Sequence, residues 1–334
     1  MQRNTLFLIL ATAALGLIMA GPVSAKTTRW TSGDATNPAK WHEANNWNNG
    51  IPVAGDTVNI KPLSQPGNYQ DPVLSTADGA AGTLTIGSSF TLTVNGVTLT
   101  LDGTGTHSIS GIMKIDATGK LDVQTGGTFD LDSANTHLIG GEILLSGSGS
   151  TLLVSAATTL NPNSGAYGSV IGQDAGASID IAGVTLTNNI VVKGEMTVQE
   201  VSGTAIFLNS TTGVVLANAD GGGSPAILLL ASDLTIDDDS GAKWQAKGDP
   251  DAVLQFASGL TFVDSSPELL GDFVLDDCAK IDVDVNITTN GGLTDMNGSD
   301  YSGTLDASAA GVCFDWDGAG TPSKICNSTT SGDC

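Results

Sequence analysis

The chain has 334 residues, with 12 basic and 35 acidic side chains and a formal charge of −23 at neutral pH. Neutralising phosphates needs clustered Lys and Arg, so neither a nucleic acid nor an anionic membrane surface is an expected partner. Charged residues make up only 14% of the chain against 43 glycines, which is too little Lys, Glu and Arg to cover exposed helices, while β-branched and turn-forming residues are plentiful.

In chain order, the first element is a processing signal. Arg3 gives a short positive start, Leu6 to Ala20 is an apolar run broken only by Thr12, and Val23-Ser24-Ala25 is a small-residue cleavage site. The run is too short to span a bilayer as a helix, so residues 1–25 read as a secretory signal peptide and the mature chain as secreted, extracellular or on the cell surface, without membrane insertion. Removing it takes away one basic residue and leaves 11 against 35, a charge of −24. Cationic groups or divalent ions are then the electrostatically welcome partners.

Residues 26–82 differ in texture from the rest of the mature chain. Trp30, Trp41 and Trp47 crowd before Pro52, Gly55-Asp56, Val58 and Ile60. The segment Arg29–Ile60, with its spacing W-x5-W-x2-G-x-P-x2-G-D-x-V-x-I, resembles the module that opens many bacterial secreted β-solenoid proteins. Autotransporter-type passengers and the extracellular eight-glycine domain carry similar segments. The resemblance implies a right-handed parallel β-helix displayed outside the cell; it implies no shared activity and transfers no catalytic residue. The chain departs from autotransporters in carrying no large C-terminal membrane barrel. Two roles fit the tryptophans. They stack on sugar rings as a carbohydrate-binding platform, or they plug the open end of a solenoid, where core and unpaired strand edges would meet water. Plugging is the favoured expectation.

From Thr83 to Asp306 apolar and polar residues alternate in short bursts separated by Gly, Asn or Asp. Leu84 with Ile86, then Phe90, Leu92 and Val94, then Val97, Leu99 and Leu101 set the pattern, and Ile281 through Ile287 continues it. Period two is the strand signature, because successive side chains point to opposite faces. Uniform texture over so long a stretch favours a solenoid over a sandwich, since a solenoid simply adds coils that cannot bury their inner faces alone. Three bursts per coil predict on the order of ten coils. The fold expected is therefore all-β: a single-stranded right-handed parallel β-helix with an N-terminal cap and a disulfide-stapled C-terminal end. Gly-rich breaks at Asn163–Gly176 and Ala217–Pro225 are expected as loops leaving the stack.

The tail, 307–334, carries Cys313, Cys326 and Cys334, with Cys278 shortly before it. Four cysteines without a C-x-x-C pair, in an exported chain, read as two disulfides with three connectivities open.

Several constellations could carry chemistry. The pairs Thr83/Thr85, Thr91/Thr93 and Thr98/Thr100 suggest an ice-binding array, but steps of 8 and 7 residues should put them on different faces. Polysaccharide lyases on solenoids use an Arg or Lys base beside Asp-bound calcium, and here the mature chain keeps only Arg29. Asp237-Asp238 and Asp276-Asp277 are carboxylate pairs of the kind that hydrolyse glycosides, yet adjacent strand residues diverge. His42, His107 and His137 are isolated and expected at the surface or in turns, and Asp315-Trp316-Asp317-Gly318 is a calcium-loop fragment without the remaining ligands. Between Asp233 and Asp306 there are 16 acidic residues against Lys243, Lys247 and Lys280. Outer carboxylates stacked from coil to coil should repel, so calcium bound by Asp237, Asp238, Asp239, Asp282 and Asp284 is the candidate cofactor, against simple solvation of an acidic rod. The expected function is a non-catalytic structural or adhesive protein of the cell envelope or matrix, with an extracellular polysaccharide or a cell-surface protein as partner. The alternative is a polysaccharide-active enzyme or carbohydrate-binding β-helix.

Overall fold

A computed structural model describes residues 24–61, 69–218, 226–248, 252–263, 268–275, 279–289, 293–294, 304–310, 312–318 and 321–331. The expected signal peptide, apart from its last two residues, lies outside these, as do Cys278, Cys334, Asp276-Asp277 and most of the Ala217–Pro225 break. Among the described residues no helix is long and apolar enough to cross a membrane.

The fold is an all-β parallel solenoid of about nine turns. Each coil contributes one short strand to each of three faces, which run in the chain order first, third, second. On the first face Thr83–Ile86, Thr106–Ile109, Thr128–Leu131 and Thr151–Val154 lie side by side, all parallel. On the second face the succession is Thr98–Leu101, Lys120–Val123, Glu142–Leu145 and the start of Ser169–Ala182. The third face is a nine-stranded parallel sheet that includes Thr91–Val94, Ile112–Ile115 and Thr136–Ile139. Three bursts per coil is thus the arrangement found. Thr83/Thr85, Thr91/Thr93 and Thr98/Thr100 do fall on three different faces.

Alternation decides what is inside. In Thr83–Ile86, Leu84 and Ile86 are buried while Thr83 and Thr85 face out, and the same buried-every-second pattern recurs in most strands. Because the register is in step, like positions stack: Leu84 meets Val58 below, Phe129 meets His107 and Leu152. Burying an apolar side chain of this size stabilises by about 1.5–3 kcal/mol, and only the neighbouring coils make that burial possible. Towards the C-terminus the core becomes aromatic, with Trp244 within 5.5 Å of Phe256 and Phe273 5.1 Å from Phe314 between ring centroids.

Three expectations are corrected. The Asn163–Gly176 break is only half a loop, because the strand Ser169–Ala182 begins inside it and runs 14 residues across two faces. Val191–Ser202 does the same one coil later, so the corner between the second and first faces is here a bent strand. Gly172 and Gly194 are register partners at the bend; Gly194 has φ +93°, and a Cβ there would lie 2.2 Å from the Gly172 carbonyl oxygen. Second, Ile281 to Ile287 is not one strand. Lys280–Val283 ends at a corner formed by Asp284, Val285 and Asn286 before Ile287–Thr289 begins on the next face. Third, His107 and His137 are buried inward residues, not surface ones. Each Nδ1 accepts a backbone N–H from the coil below, of Leu84 and Met113 respectively, both at 3.1 Å. Pairing on that side begins only one residue later, at Thr85–Ser108 and Lys114–Leu138. The imidazoles therefore satisfy donors that a short ladder leaves unpaired.

Both ends are closed differently. At the start, Trp30, Trp41 and Trp47 are buried in an edge-to-face cluster with centroids 4.8–4.9 Å apart. Trp30 Nε1 donates to the Gln70 carbonyl at 2.8 Å and Trp47 Nε1 to the Trp41 carbonyl at 2.6 Å. The Gly-Asp of the opening segment has a clear role: buried Asp56 accepts the backbone N–H groups of Lys26 and Val53 at 3.0 and 2.9 Å, tying the first strand to the first turn. At the end, the strands Cys313–Gly318 and Thr321–Cys326 form an antiparallel hairpin closed by the Cys313–Cys326 disulfide, and Ser328–Ser331 pairs antiparallel with the last first-face strand. One disulfide of the expected two is present among the described residues.

Candidate functional site

The expected site residues do not converge. The tryptophan rings are buried against one another and the core, so a sugar could stack on Trp30, Trp41 or Trp47 only if the first coil opened. Asp237, Asp238 and Asp239 diverge as consecutive strand residues must. Asp237 faces out, and Asp239 is exposed in the turn beyond the strand. Asp238 is buried, with its carboxylate accepting Trp244 Nε1 at 2.8 Å and the backbone N–H groups of Leu270 and Gly271 at 2.7 and 3.0 Å. Burial raises its pKa, against the lowering effect of those three donors. It braces the turn before the strand Asp272–Leu275, on the same inward rank as Asn188 and Asn209, which are hydrogen-bonded to each other at 3.0 Å.

The expected stack of repelling carboxylates is also not what forms. Along the first face Asp130 stands between Ser108 and Leu153, and Asp180 between Leu153 and Gln199. On the second face Asp122 stands between Thr100 and Leu144. Like charges directly opposite each other are destabilising, and the ladders interleave acids with hydroxyl, amide and apolar neighbours instead. Ser155 Oγ donates to Asp130 at 2.6 Å, Gln199 Nε2 to Asp180 at 2.8 Å, and the hydroxyls of Ser108 and Ser146 to Asp132 and Asp122. Among the described residues the like-charged step is Asp282 against Asp306. There Lys280 Nζ sits 3.1 Å from Asp282 and 2.8 Å from Asp306. Burial raises the Asp282 pKa, helped by the charges of Asp306 and Asp284. At Asp306 burial is outweighed by donors from Lys280, Ser308 and Thr329, which hold it well below the usual carboxylate range. Asp284 accepts from Gln255 Nε2 at 3.4 Å. No group of three His, Cys, Asp or Glu side chains suited to a metal occurs among the described residues.

Surface relief comes from turn length along one corner, where the chain passes from the third face to the second. Successive turns there occupy residues 116–119, 140–141, 162–168, 189–190, 210–213 and 239–242, the gaps between consecutive strands. A two-residue turn between longer ones leaves a notch, and the long 162–168 turn separates two notches. The first short turn is Gly140-Gly141, and it needs its glycines: a Cβ on Gly141 would lie 2.1 Å from the Gly119 carbonyl oxygen. The notch above it, a cavity of about 420 Å³, is polar and is lined by Asn95, Lys114, Asp116, Thr118 and Ser164. Asn163 Nδ2 reaches across it to Asp116 Oδ1 at 2.5 Å, and Lys114 Nζ lies 3.6 Å from the same oxygen.

The second notch lies over Asn189-Ile190, with a cavity of about 320 Å³. Its floor is apolar because Val191 and Val214 occupy outward positions on the second face. Tyr167 stands at one end, 61% exposed, and Thr211, Thr212 and Lys243 line the rest. Sequence reasoning missed these residues. The long break beginning at Asn163 was their one visible signal, and the outward valines were indistinguishable from inward ones until the register was known. Comparison with family models, curated proteins and solved structures finds no match.

Proposed function

We propose that this chain is an exported structural or adhesive solenoid that acts through a rigid, repetitive surface and carries out no reaction. The observation that carries this is the interleaving of the outer carboxylates. Glycoside hydrolysis needs two carboxyl groups converging across one bond, whereas Asp122, Asp130, Asp180, Asp282 and Asp306 are each engaged by a neighbouring hydroxyl, amide or ammonium group. Asp238, the most buried of the candidate acids, is held by three donors inside the corner. The same interleaving suits a stiff rod, because described coils are joined by parallel backbone pairing and by side-chain bonds such as Ser155 to Asp130 and Gln199 to Asp180.

The test joins location to activity. The full chain, expressed in a bacterial host, should be found in the medium or accessible to protease on intact cells. The purified protein should release neither reducing ends nor unsaturated sugars from acidic and neutral polysaccharides. Retention inside the cell would overturn the export claim, and product release abolished by changing Asp122, Asp130 or Asp282 to Asn would overturn the non-catalytic one. A second reading, carbohydrate binding without cleavage, is favoured by one observation: Tyr167 stands solvent-exposed at the end of an apolar notch bordered by hydroxyls.

A further inference from the structure

We infer that the notch beside Tyr167 binds a short segment of an acidic polysaccharide. The inference rests on the carbohydrate-binding reading and names its ligand class.

The geometry is that of an elongated subsite. Ser169, Val191, Val214 and Lys243 are register partners on four successive coils. Three coil steps at strand spacing span about 14 Å, the reach of an oligosaccharide segment rather than of one ring. Binding sites combine an apolar floor with a few placed polar groups, and both are present here. Val191 and Val214 offer the C–H surface on which the apolar side of a pyranose rests, and the Tyr167 ring gives a flat wall at one end. Thr212 Oγ1 donates to the Asn189 carbonyl at 3.1 Å, which turns its lone pairs to accept from a ligand hydroxyl. Thr211 Oγ1, the Tyr167 hydroxyl and Lys243 Nζ make no hydrogen bond to other described residues. Three uncommitted polar groups thus surround an apolar floor.

Charge chooses among saccharides. The chain carries 35 acidic residues, yet the ionisable side chains lining this notch are one phenol and one ammonium, with no carboxylate. Lys243 is the one charged side chain lining the notch, with Asp272 its register partner on the side away from the floor, so an anionic ligand is met by the ammonium on the notch side and the notch is complementary to a sugar acid. Lys243 is exposed, so its contribution should be modest and sensitive to salt.

Calorimetric titration of the full-length protein tests this with a galacturonate oligomer, a neutral cellulose oligomer of equal length, and polyglutamate as a charge control. The galacturonate oligomer should bind more tightly than the neutral one, and polyglutamate should not compete. Tyr167→Ala should weaken both sugars about tenfold, Tyr167→Phe should keep most of the affinity, and Lys243→Gln should weaken only the acidic sugar, by about fivefold. Both side chains are exposed, so an unchanged Tm confirms that each variant is folded. Absence of binding to either oligomer, or equal binding of polyglutamate, overturns the inference. Galacturonate binding unaffected by Tyr167→Ala and Lys243→Gln overturns the site while leaving the carbohydrate-binding reading intact.

Discussion

Replacing His137 by Leu should make the protein less sensitive to acid and less stable at neutral pH. His137 is buried with Nδ1 accepting the Met113 N–H, so its neutral form is the one the fold needs, and burial pushes its pKa down from 6.5 to about 4. The folded value lies below the unfolded one. The unfolded chain therefore binds the extra proton first, and stability present above pH 6.5 is lost as pH falls towards 4. A displacement of about 2.5 units corresponds to about 3 kcal/mol. His107, lowered chiefly by its burial, acts in the same direction. Leucine cannot titrate, but it leaves the Met113 N–H without its acceptor, at a cost of about 1–3 kcal/mol at pH 7.5. Urea unfolding of both proteins at pH 7.5 and pH 4 gives a double difference in which the carboxylates cancel. The parent should lose about 3 kcal/mol more than the variant between the two pH values. Equal losses would show that His137 is protonated in the fold without penalty and refute the reasoning.

Four further outcomes rest on named contacts. Trp47→Ala opens the N-terminal plug and should cost about 3–5 kcal/mol by chemical denaturation, with association visible in light scattering; a monomeric variant of parent stability would reopen a ligand role for Trp30, Trp41 and Trp47. Gly194→Ala places a side chain at φ +93° against the Gly172 carbonyl and should cost at least about 2 kcal/mol, whereas Gly165→Ala, in open space at φ +80°, should cost about 1 kcal/mol. Reduction of Cys313–Cys326 should destabilise by about 3 kcal/mol and raise hydrogen exchange first in the terminal hairpin; uniform exchange along the stack would contradict a local staple. Melting in calcium, in sodium chloride of matched ionic strength and in chelator should give equal midpoints, because Lys280 already bridges Asp282 and Asp306. A calcium-specific rise would show an ion competing successfully with that lysine.

Much of the architecture was legible because it is local. Whether Leu84, Ile86, Leu92 and Val94 point inward follows from the two-residue strand period and from burial, and each short burst carries its own answer. Three bursts per coil and the divergence of Asp237 from Asp238 needed nothing more. Even the separation of the threonine pairs onto three faces came from counting residues between turns.

What only the tertiary structure decided is how one coil registers on the next. Turn length sets register, and along the corner from the third face to the second it varies from two residues at Gly140-Gly141 to seven at 162–168, so partners such as Asp130 and Ser108 are brought together across a coil rather than along the chain. Counting acids gave a repelling column; register turned it into carboxylates capped by serine, glutamine and lysine. The same cause buried His107 and His137, whose role is to fill a gap in a ladder that exists only between coils. It also cut the notch beside Tyr167, where outward valines on two strands form one floor. Alternation is written in each strand, but adjacency in a solenoid is the sum of every turn between two residues, and no local pattern contains that sum.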